Sequence, residues 1–174
     1  MSNVFVDHWD PEVYSRNSDM QYDTSIKIIN DLNIANPDKI LDIGCGDGKI
    51  TAYLARKYPK AKVVGLDASA NMIRYAKNKF AYINNLVFLN TNVLDANFVS
   101  EFDLVVSFWA LSWVKNHESM LCKVINFLKP NGTLGLIVPL NNPLLAESLE
   151  KTCGSNKWSA KFKNMQLPKN NINL

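Results

Sequence analysis

The chain is poor in the residues that would mark several large classes of protein. Its three cysteines, Cys45, Cys122 and Cys153, are odd in number and lack a C-x-x-C pair. That excludes a disulfide framework or a thiolate metal site as the basis of the fold, and it fits reduced thiols in the cytoplasm. Histidine is scarcer still. His8 and His117 are the two present, and no cluster of His, Cys, Asp and Glu has the spacing of a metal site. No apolar run approaches the roughly 20 residues that span a bilayer. The first residues, "MSNVFVDHWDPEVY", carry acids and no basic stretch leading into a long apolar one, so a secretory leader is not expected. An excess of charge of one sign is also missing. The 19 basic side chains against 16 acidic ones leave a net +3, with no Lys/Arg block to suggest a nucleic-acid surface. Four lysines without an acid between positions 157 and 169 read as a solvated face or loop.

What is present is an ordinary globular balance, 47% hydrophobic and 20% charged, in a length that suits one domain with a real core. Ile26, Ile29 and Leu32 recur at three-residue steps and predict a helix over 20–34. "KILDIG" is apolar and too brief for a helix, so it reads as a strand. Segment 48–58 carries Ile50, Tyr53, Leu54 and Tyr58 at helical spacing and stops at Pro59, and "AKVVGLD" follows as a second strand. Ser69 is placed to cap a helix through Met72, Ile73, Ala76 and Phe80. "LVFLN" and "FDLVVSF" make strands three and four. A helix over 117–128 then presents Met120, Leu121, Val124, Ile125 and Leu128, and a turn at Pro130-Asn131-Gly132 leads into "TLGLIVP".

Alternation of this kind, with continuously apolar strands, predicts an α/β Rossmann-like, mostly parallel sheet with helices on both faces. After residue 139 one helix, 143–151, precedes a polar stretch rich in Lys and Asn, and no sixth or seventh strand is legible. The C-terminal strands of such a sheet are therefore expected to be missing. The expected organisation is an arm or lid over 1–19 (irregular or a short helix), a cofactor-binding domain over 20–140, and a partial cap or substrate-binding segment over 141–174.

The sharpest local signal is "ILDIGCGDGK", which puts Asp42 and the glycines Gly44, Gly46 and Gly48 between a strand and a helix. Glycine allows the tight turn and lets backbone approach a ligand. The spacing differs from the dinucleotide pattern G-x-G-x-x-G and lacks the lysine and hydroxyl of a P-loop. Asp42 separates the candidates further. A carboxylate here would repel a pyrophosphate, whereas a ligand with an amine and a sulfonium would be attracted to it. Asp67, ending the second strand, is placed to accept both ribose hydroxyls of an adenosine. An NAD-type oxidoreductase is disfavoured on both the spacing and Asp42.

"ILDIGCGDG", "VVGLDASANMIRYAK", "FDLVVSFWALSWV" and "LKPNGTL" together resemble the class I S-adenosylmethionine-dependent methyltransferases over roughly residues 8–140. The resemblance implies S-adenosyl-L-methionine as cofactor. It places the run from Asp42 to Gly48, with Gly44, Cys45 and Gly46 in it, at the methionine end, Asp67 on the ribose, and Ala68 or Met72 beside the adenine. Asn92 and Val93 would meet the adenine edge, with Asn92 standing where many members have aspartate, and Ser107 completes the set. The arm and the "ALSWV" segment are similar to the trans-aconitate and juvenile hormone acid methyltransferases, which methylate carboxylates on small molecules. On that likeness Gln21 and Trp113 would position a substrate carboxylate, and Tyr14, Trp109 and Trp113 would line its site.

Trp109 and Trp113, four residues apart, are spaced to share a helical face, and with Phe108 they read either as core packing or as an aromatic wall for a hydrophobic or planar substrate. Neither His8, in the arm, nor His117, flanking a helix, is read as a general base. The expected partner is a small molecule, a carboxylic acid, with no membrane span and no nucleic acid. Two alternatives differ in class: a catalytically inactive cofactor-binding or scaffold protein, and a methyltransferase acting on a larger acceptor such as RNA.

Overall fold

The computed structural model describes residues 7–114, 116–137, 143–155 and 157. The chain opens with α1 (Pro11–Asn17) and α2 (Asp19–Asp31) and then alternates. The order is β1 (Lys39–Ile43), α3 (Lys49–Lys57), β2 (Lys62–Asp67), α4 (Ala70–Lys79), β3 (Leu86–Asn90), β4 (Phe102–Phe108), α5 (His117–Phe127), β5 (Leu128–Ile137) and α6 (Pro143–Gly154). The five strands form one sheet in the order β3-β2-β1-β4-β5, and every pairing is parallel. Strand order reverses between β1 and β4, so a crevice opens beyond their carboxyl ends, where ligands of open parallel sheets bind. The predicted architecture is the observed one. Among the described residues no sixth strand follows, and no helix is long and apolar enough to cross a membrane.

The two faces of the sheet carry two cores, and strand alternation assigns each side chain to one of them. Ile40, Val63, Leu104 and Val106 meet Ile29 of α2 and Leu54 and Ala55 of α3. Leu41, Ile43, Leu66 and Val105 face the other way, against Met120, Leu121, Val124 and Phe127 of α5. Asp42 therefore shares the α2/α3 face with Ile40, while Ser107 shares the α5 face with Val105. That parity decides what each polar residue can reach.

Of the two expectations for the arm, the short helix is the one formed, because Asp10 caps α1 by accepting from the N–H groups of Glu12 and Val13, and Pro11 occupies the first helical turn. One stretch differs from the sequence reading. The turn at Pro130-Asn131-Gly132 lies inside β5 rather than before it. Leu128 already pairs with Phe102, pairing resumes at Leu104 with Thr133, and Asn131 takes a left-handed φ of 65° where the register shifts. Helix α5 accordingly ends at Phe127, not Leu128. The end of the predicted strand, 138–139, lies outside the described residues.

Candidate active site

The glycine turn joins β1 to α3 in a left-handed conformation at Gly44, Gly46 and Gly48, with φ of 72°, 53° and 81°. The N–H groups of Gly44 and Cys45 both reach the carbonyl of Leu66, 2.7 and 3.1 Å away, so the turn is strapped to the end of β2. A methyl group added at Gly44 would lie 2.1 Å from the Ala110 Cβ, which leaves no room for any other residue there. Asp67 completes the turn from β2: its carboxylate accepts from the Gly46 N–H at 2.9 Å and from the Ser69 N–H at 2.8 Å.

Three carboxylates converge on this turn. Asp42 is 2% exposed and is held by the Thr51 hydroxyl of α3 at 2.7 Å, as its face of the sheet requires. Burial pushes its carboxyl up to about 7, with Asp67 and Asp47 adding repulsion and the Thr51 bond working the other way. Asp67 is likewise raised, by burial first. Asp47 is buried with no hydrogen-bond partner for Oδ2, although Lys49 Nζ stands 3.9 Å away. The Cys45 thiol is held well above its ordinary value, chiefly by burial and then by the charges of Asp67 and Asp42, so it stays a protonated, inert group.

The arm lies across the same opening. A cleft is lined by Tyr14, Ser18 and Gln21 from the arm side, Asp42, Asp47 and Lys49 from the turn, and Phe108 and Trp109 from the end of β4. Lys49 Nζ donates to the Ser15 carbonyl and to Ser18 Oγ, and the Tyr14 ring passes 3.6 Å from where a Gly46 side chain would begin. Asp7 reaches α4, accepting from the Ser69 hydroxyl at 2.8 Å and the Asn71 N–H at 3.0 Å. Burial works upward on the Asp7 carboxyl, but these hydrogen bonds outweigh it and hold the group below its ordinary value. Its stabilisation is thus present at neutral pH and is lost as pH falls through the folded value. Asp7→Ala is expected to lower stability by about 1 kcal/mol and to raise amide hydrogen exchange across residues 7–17, read by mass spectrometry. Unchanged exchange would mean that α1 is held by Lys49 and Tyr14 without this contact.

Several residues singled out in the sequence meet in the cleft: Tyr14, Gln21, Asp42, Gly44, Cys45 and Trp109 line it. Others do not. Ser107 is buried on the opposite face, its hydroxyl donating to the Ile43 carbonyl at 2.8 Å. Val93 packs in the α5-side core, and Met72 is buried. Exposed Asn92 turns its Oδ1 back onto the Leu94 N–H, which makes it a local turn residue in this structure.

The shared helical face of Trp109 and Trp113 is not formed. Trp109 has a left-handed φ of 64°, and a short 3-10 turn over Leu111–Trp113 follows it. Trp113 ends up 75% exposed, edge-to-face with Trp9 at 6.0 Å. Lys49 and Asp7 were missed in the sequence. The pattern Asp-Gly-Lys at the start of α3 carried a signal for Lys49, and nothing local marks Asp7, whose partners lie more than 60 positions away.

The donor set suits a ligand with positive charge and no phosphate. Three aspartates surround the turn, and among the described residues one buried carboxylate oxygen is without a partner and the one cation lining the cleft, Lys49, is already engaged. A pyrophosphate would meet those carboxylates at close range. Among the described residues no group of three or more His, Cys, Asp and Glu is placed to hold a metal.

Residues 40–132, rather more than half of the chain, match the family described as Methyltransferase domain. Protein 235L of Invertebrate iridescent virus 6, provisionally named a methyltransferase, is 32% identical over 168 residues, which cover 95% of this chain and 61% of that protein. The trans-aconitate 2-methyltransferase of Deinococcus radiodurans is 33% identical over 138 residues, covering 77% of this chain and 50% of that enzyme. The chain thus spans about half to three fifths of the length of these curated relatives. A SAM dependent methyltransferase from Aquifex aeolicus shares the fold, with a TM-score of 0.69 at 18% identity over 83% of this chain and 88% of that one.

Proposed function

The chain belongs to the methyltransferase domain family and has the S-adenosylmethionine-binding fold, and from that premise we propose that it methylates a small-molecule acceptor on a carboxylate oxygen. The cofactor, when bound, supplies an electrophilic methyl group on a sulfonium. The chain's own residues then have separable tasks. Asp67 accepts from the ribose hydroxyls. Asp42 and Asp47 provide negative charge for the ammonium of the methionine end, and the glycine turn lets backbone come close enough to be used. The arm, through Tyr14 and Ser18, together with Gln21 of α2, excludes water from the opening, which strengthens each of these electrostatic contacts.

The observation that carries the acceptor class is the lining of the cleft beyond the aspartates. Among the described residues it holds no histidine, and its one lysine is bonded to Ser15 and Ser18. A hydroxyl acceptor would need a base to remove its proton. A carboxylate is already anionic and needs chiefly in-line placement and desolvation. Relatives named for trans-aconitate support the same class. The acidic turn disfavours nucleic acid, whose phosphates would approach three carboxylates. The three cysteines, all free, agree with a cytoplasmic setting.

The test is transfer of labelled methyl from S-adenosylmethionine to a panel of small carboxylic acids, amines and phenols. Labelled product confined to the acids and released as methanol by mild alkali is the expected result. Label found in amines or phenols, and not in acids, would replace this reading.

A further inference from the structure

We propose that the amino end of the sheet, opposite the cleft, is a docking surface for single-stranded nucleic acid. Lysine and arginine hold the phosphates there, and an exposed tyrosine beside an arginine stacks on the bases. The inference goes beyond the methyl-transfer reading. The acceptor cleft stays a small-molecule site, and this second surface serves a different partner.

The chain's charge is unevenly placed. Residues 48–94 hold eight of the 19 basic side chains and one of the 16 acids, and that acid, Asp67, belongs to the glycine turn. No run of basic residues marks this in the sequence, because the fold assembles the surface from separate segments. Helices α3 and α4 run against the parallel strands, so their last turns meet at the starts of β2 and β3. Arg56 and Lys57 end α3, Lys60 and Lys62 lead on into β2, and Lys77 lies in the last turn of α4. All five are exposed. Asn85, just before β3, ties the two ends together. Its Nδ2 donates to the carbonyls of Ala55, Tyr58 and Ala61 at 3.0, 3.3 and 2.9 Å.

Cations in the last turn of a helix complement its dipole, which accounts for Arg56, Lys57 and Lys77 but not for Lys60 or Lys62. Nor does it account for the lack of acids. Among the described residues none of the five cations is ion-paired, although Lys57 touches Asn30 of α2, next to Asp31. The adjoining starts of β1 and β4 are different. There Lys39 pairs with Glu101 at 3.1 Å and Lys129 with Asp103 at 2.8 Å. The five cations keep their charge uncompensated, as a surface that neutralises phosphates requires.

The aromatic side chains narrow the partner further. Tyr82 is 67% exposed, and the Arg56 guanidinium stands 5.9 Å from its ring centroid and bonds its hydroxyl. The same guanidinium lies 6.0 Å from the buried Phe80 ring, and Lys57 Nζ lies 5.7 Å from the ring of Tyr58. Rings and a guanidinium plane set among cations stack on bases while the phosphates are held. A duplex hides its base faces, so this arrangement selects a single strand. A lipid surface would ask for several large apolar side chains to insert, and within 48–94 the exposed ones are Tyr82 and Val87.

The experiment is fluorescence anisotropy of a labelled oligouridylate of about 12 nucleotides, titrated with the full chain at about 50 and about 200 mM salt. With about four phosphates neutralised, binding is expected to weaken roughly 50-fold between the two salt concentrations. The triple variant Arg56→Gln, Lys57→Gln, Lys60→Gln should lose most of the affinity and most of that salt dependence. Tyr82→Ala is expected to weaken oligouridylate binding roughly 5- to 20-fold, while heparin, a polyanion without bases, stays bound as before. Melting temperatures show that each variant is folded. No saturable binding at the lower salt, or binding that the triple variant leaves intact, would overturn the proposal. So would a Tyr82→Ala variant that binds oligouridylate as well as the wild type, or that loses heparin equally. Tighter binding to vesicles of phosphatidylcholine and phosphatidylserine in equal parts would replace the nucleic acid with a membrane.

Discussion

Replacing Gly44 with alanine is expected to lower stability by about 3 kcal/mol and to reduce cofactor affinity by roughly two orders of magnitude. Two independent effects add. A residue with a Cβ in the left-handed region costs about 1–2 kcal/mol, and Gly44 sits there at φ 72°. The new methyl would also lie 2.1 Å from the Ala110 Cβ. Because that neighbour is itself only a methyl, no flexible side chain can swing away and backbone must move. Overpacking of this kind costs about 1–3 kcal/mol. For a chain of this size the sum corresponds to a fall in melting temperature of about 10 °C. Cofactor affinity drops further than stability implies, because the displaced backbone is the surface the ligand approaches. The pair Gly44→Ala with Ala110→Gly separates the two effects: the double variant should recover the packing part and retain the conformational part. Equal melting temperatures for single and double variants would show that the Ala110 contact is not what restricts position 44.

Asp42→Asn is expected to act in opposite directions on stability and binding. The Asp42 carboxyl titrates at about 7 in the folded chain against an ordinary value of 3.8. A group raised in this way binds its proton more tightly when folded. Its contribution to stability is therefore complete below the unfolded value and is lost as pH rises through the folded one, over a window from about pH 4 to about pH 7. The span is worth on the order of 4 kcal/mol, and at pH 8 the buried charge opposes folding by that much. Asparagine carries no charge and can still meet the Thr51 hydroxyl, so the variant should melt roughly 8–16 °C higher at pH 8 and show a flatter stability profile between pH 4 and pH 8. Binding moves the other way. Wild-type affinity for the cationic cofactor should fall as pH drops below about 7, where Asp42 takes up its proton. The variant should bind roughly 10- to 100-fold more weakly, without that dependence. Melting curves and titration calorimetry across the pH range measure both. A variant that is less stable at pH 8 and binds as well as the wild type would remove Asp42 from the site.

Much of this could be read from the residues themselves, and the exceptions have physical reasons. Strands β1, β2 and β4 are short, continuously apolar runs because both faces of the sheet are covered, and a run too brief for a helix admits little else. The Ser69 cap, observed as Ser69 Oγ accepting from the Met72 N–H at 3.1 Å, is a local contact and so was legible. Asp10-Pro11 carried an equally local signal for α1. The register shift inside β5 was not legible, because Leu128 joins the sheet through a partner on another strand, Phe102. Within the site, the glycine turn and the two aspartates at strand ends follow from sequence pattern. The left-handed Trp109 does not, since no propensity places tryptophan there and the contacts of Ala110 and Ile137 impose it. The same turn separates Trp109 from Trp113 and breaks the helical face that their spacing suggested. Asp7 is invisible in sequence for a comparable reason, because its partners on α4 are brought to it by the fold.

The most direct test of the central claim is calorimetric titration of the purified chain with S-adenosylmethionine and S-adenosylhomocysteine, with NAD as control and Asp67→Asn alongside. Binding of both sulfur compounds with dissociation constants on the order of micromolar, absent for NAD and lost in the Asp67 variant, is the predicted result. A folded chain that binds neither, or that binds NAD as well as it binds them, would contradict it.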